Sequence, residues 1–161
     1  MDEKNLINYL GKLAKNNPSA LQLNDDIFFD KKKEIAISVD TYNEGTHFPK
    51  SPKLGLLIKK IIRSSISDLI CKGVKPKYYF ISFTCPKKYL NRSKILKLIN
   101  SLKDEQKKYK IKISGGDSTN GNFLSFTIIS LGYSSKIIKR NHVKFNDDIY
   151  ISGNIGDSYL G

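Results

Sequence analysis

Hydrophobic positions recur at helical spacing in three stretches of the chain and alternate with polar ones in the stretches between. Residues 4–16 place Leu6, Ile7, Leu10 and Leu13 on one helical stripe, closed by Asn16-Asn17-Pro18. From Glu34 the period changes. In EIAISVD, Ile35, Ile37 and Val39 point one way while Ala36, Ser38 and Asp40 point the other, which predicts a strand with a polar exit. Residues 52–73 open on a proline suited to a first helical turn and end on a glycine suited to a C-terminal cap, so they predict a long helix. The aromatic run KYYFISFTC predicts a strand, and residues 91–109 predict a further amphipathic helix carrying Ile95, Leu98, Ile99 and Leu102, with its lysines toward water. KIKIS, the polar knot GGDSTNGN, the alternating run FLSFTIISLGY and a closing strand in DDIYISGNIGDSYLG complete the chain. After the first helix the order is strand, helix, strand, helix, strand, strand and closing strand, which predicts an α+β domain with helices on one face of a mixed sheet. Neither a repeat nor a low-complexity linker divides residues 1–161, and a single domain is expected.

Composition narrows the classes. With 39% hydrophobic and 27% charged residues the chain can bury a sizeable core. It holds no apolar run of about eighteen residues, and its N-terminus has no signal-peptide pattern, so a cytoplasmic protein without a membrane partner is expected. Cys71 and Cys85 lie 14 apart with no CxxC and no nearby His, which suggests buried thiols and neither a zinc site nor a disulfide framework. The net charge of +13 invites a nucleic-acid partner. Only Arg63, Arg92 and Arg140 among the 28 basic residues are arginines, however, and the charge is spread along the chain, which weighs against that class.

The acidic residues carry more information, because the aspartates gather at element ends. Asp25 and Asp26 precede IFF, Asp40 ends a strand, Asp68 lies inside an apolar helix near Ser64 and Ser65, and Asp117 follows Gly115-Gly116. Aspartates without a His or Cys cluster are hard oxygen ligands, for which Mg²⁺ is the natural ion and phosphate the natural co-ligand. Ser38 and Asp40 on one strand face could reach the same ion. Plainer readings stand beside these. Asp25 and Asp26 suit turn caps, GGDSTNG alone suits a glycine-rich turn, and His47 suits an ordinary hydrogen-bonded role. Arg140 suits a solvated surface charge, Lys31 to Lys33 a loop tip, and Asp147-Asp148 a turn.

In order along the chain, NDDIFF, AISVDTYNEGTHF, SISDLICKGVKPKYY, ISGGDSTNG and KRNHVKFNDDIYISGNIGDSYLG resemble one family, the N-terminal domain of thiamine-monophosphate kinase within the aminoimidazole ribonucleotide synthetase-like superfamily. The resemblance implies a mixed, mostly antiparallel sheet with helices on one face, pairing with a second sheet across a homodimer. It implies an ATP-dependent kinase that phosphorylates thiamine phosphate to thiamine diphosphate with Mg²⁺. By position, Asp26 matches the second aspartate of the family's GDD motif, with Asn24 in place of its glycine. Ser38 and Asp40 match metal-binding positions on the following strand, and Val39 departs from the Thr that some relatives have between them, so that its contact to the metal would come through its backbone carbonyl. Asp68 matches the SDL aspartate, a metal ligand, and Asp117 the GGD aspartate, a ligand near the ATP phosphates. Gly116 and Arg140 match nucleotide contacts, and His47 matches a contact to thiamine phosphate. Selenophosphate synthetase is set aside because the first 70 residues hold no cysteine. The family's C-terminal domain has no counterpart in this sequence, so little or no turnover by the chain alone is expected. The alternative is a catalytically incompetent nucleotide-binding and dimerisation module.

Overall fold

The computed structural model describes residues 2–141, 143–151 and 153–156. Five strands form one sheet: β1 (Phe28–Asp30), β2 (Ile35–Asn43), β3 (Lys75–Cys85), β4 (Lys112–Asn120) and β5 (Ser125–Tyr133), in the order β1-β2-β5-β3-β4. Every neighbouring pair is antiparallel except β3 and β4, which are parallel because helix α3 (Arg92–Tyr109) carries the chain back between them. Helix α2 (Leu54–Cys71) lies on one face of the sheet, over β2, β5 and β3, with α3 beside it. The expected α+β class with a mixed, mostly antiparallel sheet is therefore what forms.

Helix α2 is the spine. Leu54, Leu57, Ile58, Ile61, Ile62, Ser65, Ile66 and Leu69 recur at three- and four-residue intervals and are buried. The helix stops at Gly73, whose φ of +74° lets its N–H reach the Ile70 carbonyl while the Val74 N–H reaches that of Leu69. Asn91 caps α3 by accepting from the Lys94 N–H at 3.0 Å. Helix α1 (Glu3–Ala14) is capped in the same manner by Asp2, but Tyr9 and Leu13 on it stay exposed.

Three expectations need correction, one short strand was not foreseen, and the loop tip at Lys31 to Lys33 is where it was expected. GGDSTN is not a turn: it is the body of β4, an exposed edge strand whose backbone pairs with β3 from Ile81 to Cys85. The short strand β1 was unmarked by alternation, and Lys31 to Lys33 cap its hairpin with β2. No closing strand forms among the described residues after Tyr133; residues 145–146 make the turn expected near Asp147, and residues 157–161 lie outside the described set. Cys71 is exposed and only Cys85 is buried. The face of β2 is also informative: Ala36, Ser38 and Tyr42 turn toward α2 and are buried, while Val39 is 61% exposed on the open side of the sheet.

One stretch is strained. Leu21, Gln22 and Leu23 all have positive φ, at 52°, 59° and 55°. Left-handed backbone costs a non-glycine residue about 1 kcal/mol or more. Three in succession persist only where neighbouring contacts hold them, and this run leads directly into Asn24, Asp25 and Asp26.

Candidate functional site

The polar corner of the molecule lies where β2 crosses α2. Alternation along β2 turns Ser38 and Asp40 to the helix, and the helical period brings Asp68 onto the facing stripe of α2. The Ser38 hydroxyl donates to Asp68 Oδ2 at 2.9 Å, and one helical turn earlier Ser65 shares a hydrogen bond of 2.9 Å with Ser130 of β5. Ser64 and Ser65 are near Asp68 in sequence, but the hydroxyl that donates to it is that of Ser38, 30 residues away.

Asp40 and Asp68 are poised alike. Burial pushes the Asp40 carboxyl above its usual range, the negative charge of Asp68 raises it further and that of Asp26 adds to this, while the hydroxyls of Ser65 and Tyr42 oppose the shift. Asp68 is raised by burial first and by Asp26, against the hydrogen bond from Ser38 and the charges of Lys72 and Arg140. Asp40 Oδ2 is buried with no hydrogen-bond partner among the described residues. The charges of Asp26 and Asp68 both bear on Asp40, which carries an unsatisfied buried oxygen, and such a group of carboxylates is a donor set that favours a hard cation. Among the described residues no three His, Cys, Asp or Glu side chains enclose an ion by themselves. The corner is thus a partial ligand set, open to completion by phosphate oxygens and water.

This balance has a cost that can be read without any ion. A carboxyl raised in the fold binds protons more tightly folded than unfolded, so its contribution favours the fold at pH below the raised value and is lost as pH rises through it. Where both carboxylates are ionised, the charge of Asp68 repels that of Asp40. Asp40→Asn is expected to raise the metal-free melting temperature at pH 7 by about 2 °C, which corresponds to somewhat under 1 kcal/mol for a domain of this size. The gain should shrink in melts run at progressively lower pH, where the wild-type carboxyl takes up its own proton; a lower melting temperature at pH 7 would contradict the repulsion.

Asp26 stands at the entrance, on the turn before β1. Its Oδ2 accepts from Arg140 Nη2 at 2.5 Å, with both side chains well exposed. Beneath it, Asp25 is drawn inward to Lys72 at the end of α2, and its Oδ2 also accepts the Arg140 backbone N–H at 3.2 Å. Neither contact was legible in the sequence, because each joins segments remote in the chain. Val39 turns its side chain to the opposite face of β2, so only its backbone can serve the corner.

Two expected residues stand apart. The sheet register aligns Asp40 with Ile128, Ile81 and Gly116, three strand steps and roughly 14 Å across at standard spacing. Asp117 pairs with Ser82 one row further on, toward the open face, so within one chain it does not join Asp26, Asp40 and Asp68. His47 follows β2 in a tight loop. Its Nδ1 accepts the Asn43 N–H at 3.0 Å, and its ring meets Tyr42 edge-on at 5.8 Å. Glu44 fastens this loop by accepting from the Ser51 and Leu124 N–H groups and the Tyr89 hydroxyl.

Comparisons with known proteins give this geometry a lineage. A thiamine-monophosphate kinase of Nitrosopumilus maritimus is 30% identical over 162 residues, covering 100% of this chain and 50% of the relative. That of Haemophilus influenzae is 33% identical over 146 residues, covering 88% and 44%. The solved structure of AaThiL complexed with AMPPCP and TMP superposes with a TM-score of 0.85 at 25% identity, over 96% of this chain and 49% of that one. The chain spans about half the length of the curated relatives it matches. The family described as AIR synthase related protein, N-terminal domain, matches residues 20–133, which include the whole sheet, α2 and α3. A five-stranded mixed sheet with an aspartate corner beneath α2, matched by that family over most of its length, makes this chain a member of the AIR synthase-related proteins through their N-terminal domain.

Proposed function

We propose that residues 1–161 are the nucleotide- and Mg²⁺-binding N-terminal portion of a thiamine-monophosphate kinase, which transfers the γ-phosphoryl group of ATP to thiamine phosphate and yields thiamine diphosphate. The observation that carries this reading is the buried, unpartnered Asp40 oxygen beside Asp68, both carboxyls raised first by burial, Asp40 further by the charges of Asp68 and Asp26 and Asp68 by that of Asp26. Asp26, Asp40 and Asp68, with Ser38 and the Val39 carbonyl, would hold Mg²⁺, which when bound neutralises phosphate charge. Phosphoryl transfer between two anions needs positioning and charge neutralisation rather than a side-chain nucleophile, and the acceptor oxygen is already ionised near neutral pH. The chain's own residues would then act as clamps. Arg140, exposed and already pairing with a carboxylate, can turn to a phosphate of ATP. Gly116 brings the β4 backbone close to a ligand near Asp117, and His47 contacts thiamine phosphate.

Asp117 lies too far across the sheet to share an ion with Asp40 in one chain, so the reading assigns it to a second ion nearer the nucleotide. Turnover depends on the remaining half of the relatives' length, and the same domain alone serves as a nucleotide-binding and dimerisation module. A homodimer would cover the open sheet face, where Val39, Ile129 and Tyr133 are 61%, 36% and 49% exposed. The free thiol of Cys71 suits a reducing cytoplasm.

The test is calorimetric titration of the purified chain with a non-hydrolysable ATP analogue, in Mg²⁺ and in EDTA. Saturable binding in Mg²⁺ only, weakened at least tenfold, or about 1.4 kcal/mol, by Asp68→Asn, is the expected result. Binding that ignores EDTA and the substitution would overturn the reading. Sedimentation of the same sample should give a dimer.

A further inference from the structure

The side chains of Lys72 and Asp25 are only 8% and 5% exposed, and their ammonium and carboxylate meet at 2.5 Å. Nothing in the phosphoryl-transfer reading uses either residue. A buried ion pair is costly to desolvate, and apolar residues would fill such a place at no loss of stability. What the pair does is visible in its connections. Asp25 Oδ1 also accepts the Asp26 N–H at 2.9 Å, and Oδ2 accepts the Arg140 N–H. The Lys72 carbonyl accepts the Ile138 N–H at 3.0 Å. Three segments therefore converge on one charge pair: the end of α2, the strained run that leads into residues 24–26, and residues 138–140. With the Asp25 carboxylate held inward by Lys72, the adjacent Asp26 side chain turns outward to Arg140, where its charge is felt by Asp68 and Asp40.

The geometry points to Lys72 as a positioning residue: its buried ammonium fixes Asp25, and through Asp25 it sets where Asp26 and Arg140 stand relative to Asp40 and Asp68. This rests on the metal reading of the corner. Lys72 also withholds Asp25 from that corner, so the ion meets Asp26, Asp40 and Asp68 rather than a fourth carboxylate. Burial alone would push the Asp25 carboxyl up, but the Lys72 ammonium, with the Arg140 and Asp26 N–H groups, outweighs it and holds the group below the usual carboxylate range.

Mn²⁺ uptake followed by electron paramagnetic resonance, with thermal melts and amide exchange on the same 161-residue chain, tests the assignment. Lys72→Met leaves Asp25 buried without its cation and should both lower the melting temperature and weaken Mn²⁺ binding at least tenfold. Lys72→Arg should keep binding within about threefold, since the charge stays in reach of Asp25. The decisive variant is the double substitution Asp25→Asn with Lys72→Met, which removes both charges. It should melt near the wild type yet still bind Mn²⁺ at least tenfold more weakly, with faster exchange at the Arg140 amide. Wild-type Mn²⁺ affinity in that double variant would overturn the positioning role and leave the metal reading standing. A wild-type chain that takes up no Mn²⁺ would overturn the metal reading itself.

Discussion

Gly116→Ala should disrupt the β3–β4 edge more severely than any other single methyl added to a glycine on this sheet. The φ of Gly116 is +154°, and a Cβ built there would stand 1.8 Å from the Ile81 carbonyl oxygen and 2.7 Å from its carbon. Backbone is in the way, so no rotamer change relieves the clash. Ile81 is held on its other side by Ile128 of β5, in the middle of the sheet. The expected cost is about 4 kcal/mol, the scale at which strain at a special backbone position becomes exceptional. For a domain of this size that lowers the melting temperature by roughly 12 °C. Gly115→Ala is a graded control. Its φ is +147°, but the nearest atoms to its Cβ are the Phe80 ring carbons, at 3.1 and 3.4 Å, and a ring can tilt. A loss of roughly 2 kcal/mol is expected there. Gly45, with a φ of +86° and nothing within 4 Å, carries only the backbone penalty, about 1 kcal/mol. Melts of the three variants should rank in that order; a Gly116→Ala chain that melts with Gly45→Ala would show that β4 can slide off Ile81 at little cost. Because Asp117 is the next residue, the same variant should lose whatever nucleotide contact β4 supplies.

The misreading of β4 has the same physical origin. Two glycines followed by Asp, Ser, Thr and Asn carry every local signal of a turn, and nothing in them alternates. Yet β4 is an edge strand with all nine residues exposed, so it needs no apolar face, and its glycines are there because β3 approaches too closely for a side chain. Where burial dictates the pattern, the sequence was legible: the stripe of α2 and its glycine stop, the amphipathic run of α3, and the alternation of β5 all read through. β2 shows the limit of that legibility. Its alternation was plain, but the side with Ser38 and Asp40 faces the helix because α2 offers Ser65 and Asp68 there instead of only aliphatics. Which aspartates meet was likewise beyond local pattern. Asp40 and Asp68 come together through the crossing of β2 and α2, Asp26 is joined to Arg140 across 114 positions, and Asp117 is separated from them by two intervening strands. Lys72 carried no signal at all, since a lysine one residue before a helix-ending glycine is an ordinary surface pattern until its partner is seen.

Arg63→Met should be the most damaging substitution of a surface-reaching side chain. Arg63 on α2 grips Glu105 on α3 with two parallel hydrogen bonds of 2.8 Å, from Nε and Nη2, across 42 positions of sequence. The two ends differ in exposure: the Arg63 side chain is 45% exposed, the Glu105 side chain 2%. Removal of the arginine therefore strands a carboxylate in the seam between the helices, at about 3 kcal/mol, the lower end for a broken buried pair because water still reaches the arginine side. The melting temperature should fall by roughly 9 °C. Lys59 and Asp104 join the same two helices at 2.9 Å but are 32% and 64% exposed, and Lys59→Met should cost at most about 1 kcal/mol. Equal losses in the two variants would mean that pairing between α2 and α3, rather than the stranded charge, sets the cost. The double substitution Arg63→Met with Glu105→Met separates the terms again. It has no charge to strand, and methionine fills irregular apolar space at a helix seam, so it should recover most of the loss. If it melts as low as Arg63→Met alone, the fork geometry itself holds α3 to α2, and the buried carboxylate is incidental.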